Sequence, residues 1–554
     1  MRGDERTDLE AFIDTLPDPG AARIFLDRLE ALQTTRSINL RGLLVARLLT
    51  LAAYSPFLAD TVLCHPEHIA WLDRETGQQI GQGKSAEQIG EELARFSARL
   101  VEGDERTRLA RFKRRELLRI YLRDCLGVAT LSEVTEELSN LADVLLADAL
   151  AFAYQETVNR HGQPLARDKR GRIAPAEFAV VALGKLGCRE LNYSSDIDLM
   201  FLYAGAGTTA GDRWSKDSVI DNKEFFTLVA NRVVQIIGSN PGEGAVYRID
   251  LRLRPYGRDG DLVWEVDRAA DYYRTKAQGW ERQALIRARA SAGSESLVQS
   301  FLENVRGVVF DPEAMPDTLA EVRRAKEKID RSVAGRTGGF NVKLGQGGIR
   351  EIEFIAQALQ LAHGGREPWV RSAQTLIVLA RLAEKGYLSE HERTQLSAAY
   401  TFLRTVEHRL QMEQGAQTHT LPLARERLEL LARRAGYADA QLFLAEVEKQ
   451  TASVRAVFNR VFVESSHAPV AQAKQISDTE ADRLIDQASA ALARLVSDGA
   501  HDAAAIERMI SAALPEVLAP QRALRNLVGW AESFATYDRA ETALDKRRLS
   551  ERLP

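Results

Sequence analysis

Several features that define whole classes of protein are missing from this sequence of 554 residues. Its three cysteines, Cys64, Cys125 and Cys188, are too few and too widely spaced for a disulfide framework or a clustered zinc site. The 74 Lys and Arg residues face 78 Asp and Glu residues, so the formal net charge of -4 gives no basic field that would hold a nucleic acid. No run approaches the roughly 18 apolar residues of a membrane span, and the N-terminus lacks the apolar core of a signal peptide. We therefore expect a cytoplasmic protein that binds neither nucleic acid nor membrane.

The length and composition predict several folded domains. Hydrophobic residues make up 45% of the chain and charged residues 27%, a balance that supplies buried cores. At about 150 residues per domain, the length corresponds to three or four domains. Helical periodicity with a capping box at Thr130 and Glu133 is typical of the N-terminal part. The predicted divisions are a helical region at 1–165, a small α/β module at 166–300, a helical domain at 301–465, and a linker with a further helical region at 466–554.

The module at 166–300 is marked by strand patterns. The continuous apolar run Phe178–Leu183 predicts a buried strand, and Ile197–Tyr203 predicts a second one. An amphipathic helix follows, with apolar residues from Phe225 to Ile237 on one side. Residues Ala245–Arg254 alternate strictly between apolar and polar, which predicts a half-buried strand. After a turn, Leu262–Trp264 is expected to return as its hairpin partner.

Two acids at the start of the second strand suggest a metal site. Asp196 and Asp198 are two residues apart, so the period of a strand points both carboxylates to the same face. Asp250 lies on the polar face of the alternating strand, where pairing of adjacent strands would bring it opposite the first two. Three carboxylates are sufficient for Mg²⁺ or Mn²⁺, which prefer oxygen ligands, and can hold two ions across a phosphoryl displacement.

Residues suited to phosphate lie close to these acids. Gly184 and Gly187 follow the first strand, where backbone can approach a phosphate closely. Lys185 is long enough to reach a phosphate, and Arg252 and Arg254 share the face of Asp250. The two arginines are equally well explained by structural pairing with the neighbouring aspartates.

The same residues carry a resemblance to a known family. A Gly-Lys pair with Asp-x-Asp beginning twelve residues after the glycine resembles the nucleotidyltransferase superfamily that includes DNA polymerase beta. Four longer blocks, and similarity from about residue 20 to beyond 465, resemble the bifunctional glutamine synthetase adenylyltransferase/adenylyl-removing family. The blocks are Leu183–Leu199, Tyr247–Gly257, Trp280–Arg289 and Val342–Phe354.

The resemblance implies a fold and an activity. The fold would be α+β, with a polymerase-beta-like nucleotidyltransferase module, a small mixed sheet with helices, between mainly helical domains. Members of the family join two such modules, one that removes AMP from a tyrosine of glutamine synthetase and one that adds it. This chain has one Gly-Lys-Leu-Gly block, which fits either a fragment or a single-module protein. Asn192–Ser195 and Lys343–Gly345, with Arg350 and Glu351, resemble the removing half, which implies phosphorolysis of adenylyl-tyrosine to give ADP.

The resemblance also implies roles for individual residues. The catalytic and metal-binding acids would be Asp196, Asp198 and Asp250. The phosphate- and nucleotide-binding residues would be Gly184, Lys185, Ser195, Arg252 and Arg254. A further set either supports the site or locks helices together: Glu281, Arg287, Arg350, Glu351 and Glu353.

Two other functions are compatible with the sequence. The same acids would serve ATP-dependent adenylylation of glutamine synthetase with release of pyrophosphate. A protein of another class, an inactive regulatory module that binds glutamine synthetase or a PII-type signalling protein, is disfavoured by the intact set of acids. The expected partners are glutamine synthetase, ATP or ADP, phosphate and a PII-type protein, in the regulation of nitrogen assimilation.

Overall fold

The computed structural model describes residues 3–35, 42–99, 104–167, 171–211, 218–238, 245–311, 324 and 338–462. Apart from 383–389, these residues belong to one compact unit, in which two small β-sheets lie among helices. The predicted α+β fold, with a small mixed sheet and mainly helical surroundings, is confirmed. None of the described helices is long and apolar enough to cross a membrane. The region predicted at 466–554 lies outside the described residues, and the domain boundaries stay predictions.

Eight helices lie among the described residues of the N-terminal part. Ser55 caps the fourth, because its Oγ accepts the N–H of Leu58, and Thr130 and Glu133 form the predicted capping box in front of the eighth. The helical pattern predicted here is therefore confirmed. The bounds are α1 Gly3–Asp14, α2 Pro19–Thr35, α3 Gly42–Tyr54, α4 Pro56–Cys64, α5 Glu67–Gln79, α6 Ala86–Ser97, α7 Glu105–Cys125 and α8 Leu131–His161.

A buried carboxylate joins α7 to α8. Glu137 of α8 lies 2.5 Å from the guanidinium of Arg119 and 2.5 Å from that of Arg123, both on α7. It also accepts the backbone N–H of Lys84 at 2.6 Å. The side chains of Glu137, Arg119 and Arg123 are almost completely buried, so each charge depends on its partner for stabilisation.

Replacing Glu137 by glutamine is expected to destabilise the protein by about 3 kcal/mol, because buried Arg123 would lose its carboxylate partner and buried Arg119 would keep only Glu116. Urea denaturation followed by tryptophan fluorescence measures the change. The control is Glu91→Gln, which removes an exposed pair with Arg95 and should change stability by about 0.5 kcal/mol or less. Equal effects of the two substitutions would contradict this account of the buried network.

The larger sheet has five strands and contains both strands predicted first. The strands are β3 Phe178–Leu183, β4 Ile197–Tyr203, β6 Ile249–Asp250, β7 Val263–Glu265 and β8 Arg289–Gly293. Strand β3 lies between β4 and β8 and is antiparallel to both. Strand β4 pairs in parallel with β6 at its beginning and with β7 at its end. A smaller antiparallel sheet, in the order β2-β1-β5, consists of β1 Pro164–Arg167, β2 Ile173–Pro175 and β5 Gly207–Thr209.

Helices cover both faces of the larger sheet. Val180 of β3 belongs to a core with Phe226 of helix α10 (Asn222–Gly238), whereas Val181 faces a second core with Phe301. Because β3 is buried on both faces, its sequence is apolar throughout rather than alternating. The other helices of this region are α9 Gly184–Gly187, α11 Val266–Thr275, α12 Gly279–Ala284 and α13 Glu295–Val309.

The strand predicted at Ala245–Arg254 and its hairpin were wrong. Only Ile249–Asp250 is a strand, and Val263–Glu265 pairs with β4 rather than with it. The chain turns after Asp250 because its Oδ1 accepts the backbone N–H of Arg252 at 2.9 Å. The side chain of Arg254 then holds the turn by donating to backbone carbonyls, including that of Leu251 at 2.8 Å.

Five helices lie within the described residues 338–462, where the loop before the first helix meets the segment after the third. In the first loop, the N–H of Val342 donates to the carbonyl of His419 at 2.8 Å. The N–H of Leu421 donates back to the carbonyl of Phe340 at 2.9 Å. These bonds join the 340–348 loop to the 415–421 segment. The helices are α14 Ile349–His363, α15 Thr375–Glu384, α16 Glu390–Gln414, α17 Arg425–Arg434 and α18 Ala440–Phe462.

Candidate active site

The three predicted acids come together at one edge of the sheet. Asp198 of β4 and Asp250 of β6 are directly paired in the parallel ladder, so their side chains leave the same face of the sheet. Asp196 precedes β4 by one residue and lies two positions before Asp198. The parallel pairing of β4 and β6 thus builds a cluster of carboxylates from segments that are 52 residues apart in sequence (250 − 198 = 52).

The pKa values of Asp198 and Asp250 are shifted in opposite directions. Burial, Asp250 and Asp196 together raise the pKa of Asp198 to about 6. Burial would also raise the pKa of Asp250, but hydrogen bonds from the side chain and backbone of Arg252 hold that pKa below its usual value. Among the described residues, nothing donates a hydrogen bond to either oxygen of Asp198. A partly buried carboxylate without a donor, next to two other acids, is a fitting ligand for a divalent cation.

Gly184 is required by its contact with this acid. Its φ of +55° is in the left-handed region, and a Cβ added there would lie 2.1 Å from Asp198 Oδ2. The backbone of α9 therefore packs directly on the carboxylate. Gly187 has a different reason to be glycine, since its Cβ would lie 1.9 Å from the carbonyl oxygen of Arg287.

An open cleft of about 550 Å³ lies beside the acids. Its lining includes four arginines, and three of its polar members, Arg248, Arg258 and Gln417, were not predicted as site residues. Alternation along 245–254 had placed Arg248 with Asp250, which was a usable signal, but no local pattern indicated Gln417. The lining residues are Asp196, Arg248, Ile249, Asp250, Leu251, Arg252, Arg254, Arg258 and Gln417.

The arginines of the cleft differ in what they contact. Arg248 donates from Nε to Asp196 at 2.6 Å and from Nη2 to the carbonyl of Ser194 at 2.6 Å. Arg252 donates from Nε to Asp250 at 2.8 Å, so this arginine does pair with a neighbouring aspartate. Arg254 instead donates to backbone carbonyls of the turn at 251–261. The side chains of Arg248 and Arg252 are 52% and 62% exposed, which leaves them accessible to an anion in the cleft.

Two other predicted phosphate contacts have partners within the protein. The ammonium of Lys185 lies 3.1 Å from Oε2 of Glu407 on α16, and the residue does not line the cleft. Burial lowers the pKa of Lys185 to about 7, although Glu407 opposes this shift. The hydroxyl of Ser195 accepts the backbone N–H of Asn192 at 3.3 Å. A phosphate-binding role for Lys185 and Ser195 stays a prediction.

The residues predicted either to support the site or to lock helices together make intramolecular contacts. Glu281 accepts from the hydroxyl of Tyr272 at 2.6 Å and caps α12. Arg287 lies 3.2 Å from Glu353, and Arg350 lies 3.4 Å from the same carboxylate.

Electrostatics around Glu353 reinforce these contacts. Burial would raise the pKa of Glu353, but Arg287, Arg350 and Lys185 lower it to about 2. Glu351 pairs with Arg455 at 3.0 Å. These contacts favour the interpretation that the set locks helices together.

Side chains of helix α16 hold the segment that precedes the acids. The sequence analysis did not predict these contacts. Arg404 donates to the carbonyl of Glu190 at 2.7 Å and to Oδ1 of Asn192 at 2.6 Å. Gln411 accepts the backbone N–H of Ser194 at 3.0 Å. Polar residues buried along one side of an amphipathic helix were the available signal, but the sequence did not indicate their partner, which lies more than 200 residues away.

Two different family models match two successive parts of the chain. The family model described as glutamate-ammonia ligase adenylyltransferase matches residues 45–304, and the model described as GlnD PII-uridylyltransferase matches residues 316–462. A curated protein of Thioalkalivibrio sulfidiphilus named bifunctional glutamine synthetase adenylyltransferase/adenylyl-removing enzyme is 38% identical over 397 residues, which are 71% of this chain and 40% of that protein.

Two further curated proteins with the same name are similar to this chain. The one from Nitrosococcus oceani is 38% identical over 356 residues, 64% of this chain and 36% of that protein. The one from Aromatoleum aromaticum is 37% identical over 396 residues, 72% of this chain and 41% of that protein. The chain thus spans about two fifths of the length of these relatives.

Proposed function

We propose that this chain, whose residues 45–304 match the glutamate-ammonia ligase adenylyltransferase family model, removes AMP from an adenylylated tyrosine of glutamine synthetase by phosphorolysis. The observation that carries this proposal is the in-register pairing of Asp198 with Asp250, with Asp196 beside them, at the edge of a cleft lined by arginines. The arrangement suits a nucleotidyltransferase, whose substrates bring several negative charges to one place.

The acids fit a divalent cation, which we propose to be Mg²⁺ or Mn²⁺. Asp196, Asp198 and Asp250 would hold it, and the strongest support is the partly buried, hydrogen-bond-free carboxylate of Asp198. When bound, the cation would neutralise charge on the phosphoryl oxygens. Arg248 donates to Oδ1 of Asp196. Arg252 donates to both oxygens of Asp250, so a cation bound at Asp250 would share this carboxylate with the arginine or displace it.

The chemistry proposed for the cleft is a simple displacement. An oxygen of inorganic phosphate attacks the phosphorus of the adenylyl-tyrosine diester, and the bond from phosphorus to the tyrosine oxygen breaks. The proton of hydrogen phosphate passes to the tyrosine oxygen, so the products are ADP and the free tyrosine hydroxyl. The exposed guanidinium groups of Arg248 and Arg252 would orient two anions that otherwise repel each other. Arg254 would act indirectly, by holding the turn that presents them.

Incubation of the protein with adenylylated glutamine synthetase, phosphate and Mg²⁺ tests the proposal, and ADP is the expected product. Release of pyrophosphate from ATP and unmodified glutamine synthetase, without ADP formation, would instead support adenylylation. No turnover with either substrate, or unchanged turnover in Asp196→Ala, would favour the inactive binding module. A PII-type protein as partner and a cytoplasmic location belong to the same proposal.

Affinity for Mn²⁺ should depend on pH through Asp198. Because the pKa of Asp198 is about 6, protons compete with the cation below this pH, whereas above it the carboxylate is ionised. We expect the affinity to fall by about tenfold between pH 7.5 and pH 5, as the ionised fraction falls. Titration of Mn²⁺ by electron paramagnetic resonance at both values measures this change. An affinity that is the same at both would contradict the assignment of Asp198 as a ligand.

A further inference from the structure

Glu407 of helix α16 connects two sides of the active site. Its carboxylate is completely buried, with Oε2 3.1 Å from Lys185 Nζ and 3.4 Å from Arg404 Nε, and with Oε1 2.8 Å from His419 Nδ1. We propose that Glu407 is a positioning residue of the catalytic centre, which acts through Lys185 on the backbone beside the acids and through His419 on the 415–421 segment, which contributes Gln417 to the cleft. For its kinetic consequences this inference rests on the proposed function.

The first connection runs from Glu407 to the acids. Lys185 immediately follows Gly184, whose backbone packs on Asp198 so closely that a Cβ would lie 2.1 Å from Oδ2. The side chain of Lys185 is only 11% exposed and points to α16. The carbonyl of Lys185 accepts the N–H of Glu190 at 2.9 Å, which closes the loop after β3. A shift of Lys185 would therefore displace the backbone that confines Asp198.

The second connection runs from Glu407 to the wall of the cleft. His419 lies two residues after Gln417, whose side chain lines the cleft together with Asp196 and the arginines. The carbonyl of His419 accepts the N–H of Val342 at 2.8 Å, and Ser194 donates from Oγ to the carbonyl of Gly415 at 2.9 Å. The 415–421 segment is thus fixed at its beginning by the chain that precedes the acids and near its end by Glu407.

The charges explain why one carboxylate would serve both connections. Lys185 and Arg404 are both buried, and the ion pair with Glu407 is the contact that their side chains share. Burial would raise the pKa of Glu407, but Lys185, His419 and Arg404 hold it well below its usual value, so the carboxylate is ionised. Glutamine at this position keeps the shape and removes the charge, which leaves the buried side chains of Lys185 and Arg404 without their common ionic partner.

A double-mutant cycle tests the connection through Lys185. We expect Glu407→Gln to lower kcat by about 10- to 100-fold, because small displacements of reacting groups are costly, while the KM for adenylylated glutamine synthetase stays within about threefold. Lys185→Met should lower kcat by a similar factor. The kcat of the double variant should lie within about threefold of the kcat of the less active single variant. Lys185→Arg, which keeps the ion pair, should recover most of kcat.

The exposed pair Glu446–Lys449 provides a matched control cycle. Its ion pair spans 3.2 Å on α18, and Lys449 is 70% exposed. Glu446→Gln, Lys449→Met and their combination should each leave kcat within about twofold of the unsubstituted protein. Losses that multiply in the cycle of Glu407 and Lys185, or an unchanged kcat in Glu407→Gln, would overturn the proposal. A raised KM for phosphate in Lys185→Met alone would also overturn it, since Lys185 would then act on phosphate without Glu407.

Affinity for Mn²⁺ in the same four proteins separates this inference from the proposed function. Glu407→Gln and Lys185→Met should each weaken Mn²⁺ binding at least about threefold, again without adding in the double variant. If these changes occur but the protein turns over neither substrate, the proposed function fails and the positioning role stands. If ADP is formed and Glu407→Gln changes neither kcat nor Mn²⁺ affinity, the positioning role fails.

Substitution of the partners covers the case in which Glu407→Gln does not fold. Lys185→Met and His419→Gln each remove one partner and keep the buried carboxylate with its remaining partners. Both should lower kcat by about tenfold with an unchanged circular dichroism spectrum. Normal kcat in both variants would overturn the proposal.

Discussion

Replacing Asp198 by asparagine is expected to lower kcat for nucleotidyl transfer by about 10³-fold or more, since several kcal/mol of charge stabilisation at the phosphoryl group depend on this ligand. Asp198 is central because it pairs with Asp250, contacts the backbone of Gly184, and accepts no hydrogen bond from the described residues. Asp271→Asn is the matched control, because Asp271 is 68% exposed and pairs with Arg274 on α11. Its activity should be unchanged.

The same substitution should make the metal-free protein more stable at pH 7.5. The pKa of Asp198 is about 6 in the folded protein, above its ordinary value of 3.8, so ionisation costs the native state more than the unfolded state. This cost is absent below the unfolded pKa and is complete once the pH has risen through about 6. We expect the unfolding midpoint to rise by roughly 1 to 3 °C at pH 7.5 and the gain to shrink at pH 4.

Differential scanning fluorimetry with and without Mg²⁺ measures the change in the unfolding midpoint. Mg²⁺ should stabilise the unsubstituted protein and the Asp271→Asn control, but not Asp198→Asn. A variant that is less stable than the unsubstituted protein at pH 7.5 would show that Asp198 is a structural rather than an electrostatically strained group.

Gly184→Ala is the second substitution with a large expected effect. The added Cβ would lie 2.1 Å from Asp198 Oδ2, and the left-handed φ of +55° is itself costly for alanine. Because the backbone and the carboxylate must separate, we expect kcat to fall by about 100-fold. Stability should fall by about 1 to 2 kcal/mol from backbone strain alone.

Gly90→Ala controls for the change of residue type. Gly90 lies within α6, and a Cβ there would have no atom within 4 Å. Alanine should therefore stabilise the helix by up to about 1 kcal/mol and leave kcat unchanged. Steady-state kinetics and urea denaturation of both variants measure these effects. Normal activity in Gly184→Ala would contradict the close packing of this backbone on Asp198.

Patterns in the local sequence predicted the strands and the helix that carry the site, because the spacing of their apolar residues reflects which faces are buried. The apolar run of β3 and the amphipathic pattern of α10 both reflect the faces that they bury, so their positions were readable. The spacing of Asp196 and Asp198 fixed their common face, and Asp250 was correctly expected opposite them. Alternation misled beyond Asp250, where side-chain bonds to the backbone end the strand although the polarity pattern continues.

Long-range partners were outside the reach of these patterns. Lys185 was predicted as a phosphate contact, and no local pattern indicated that its ammonium pairs with Glu407, 222 residues away. The same holds for β7, which pairs with β4 although a hairpin within 245–264 would be the shorter connection. Such contacts are set by how helices and strands pack in three dimensions, which a single sequence does not encode in its local spacing.

The carboxylates of Asp196, Asp198 and Asp250 are proposed to form a metal site. Anomalous scattering measured at the manganese edge from crystals of the full chain soaked in Mn²⁺ tests it most directly. The account predicts an anomalous peak within coordination distance of Asp198 and Asp250, absent from crystals of Asp198→Asn. Manganese bound only elsewhere, or no peak between these two strands at saturating Mn²⁺, would contradict it.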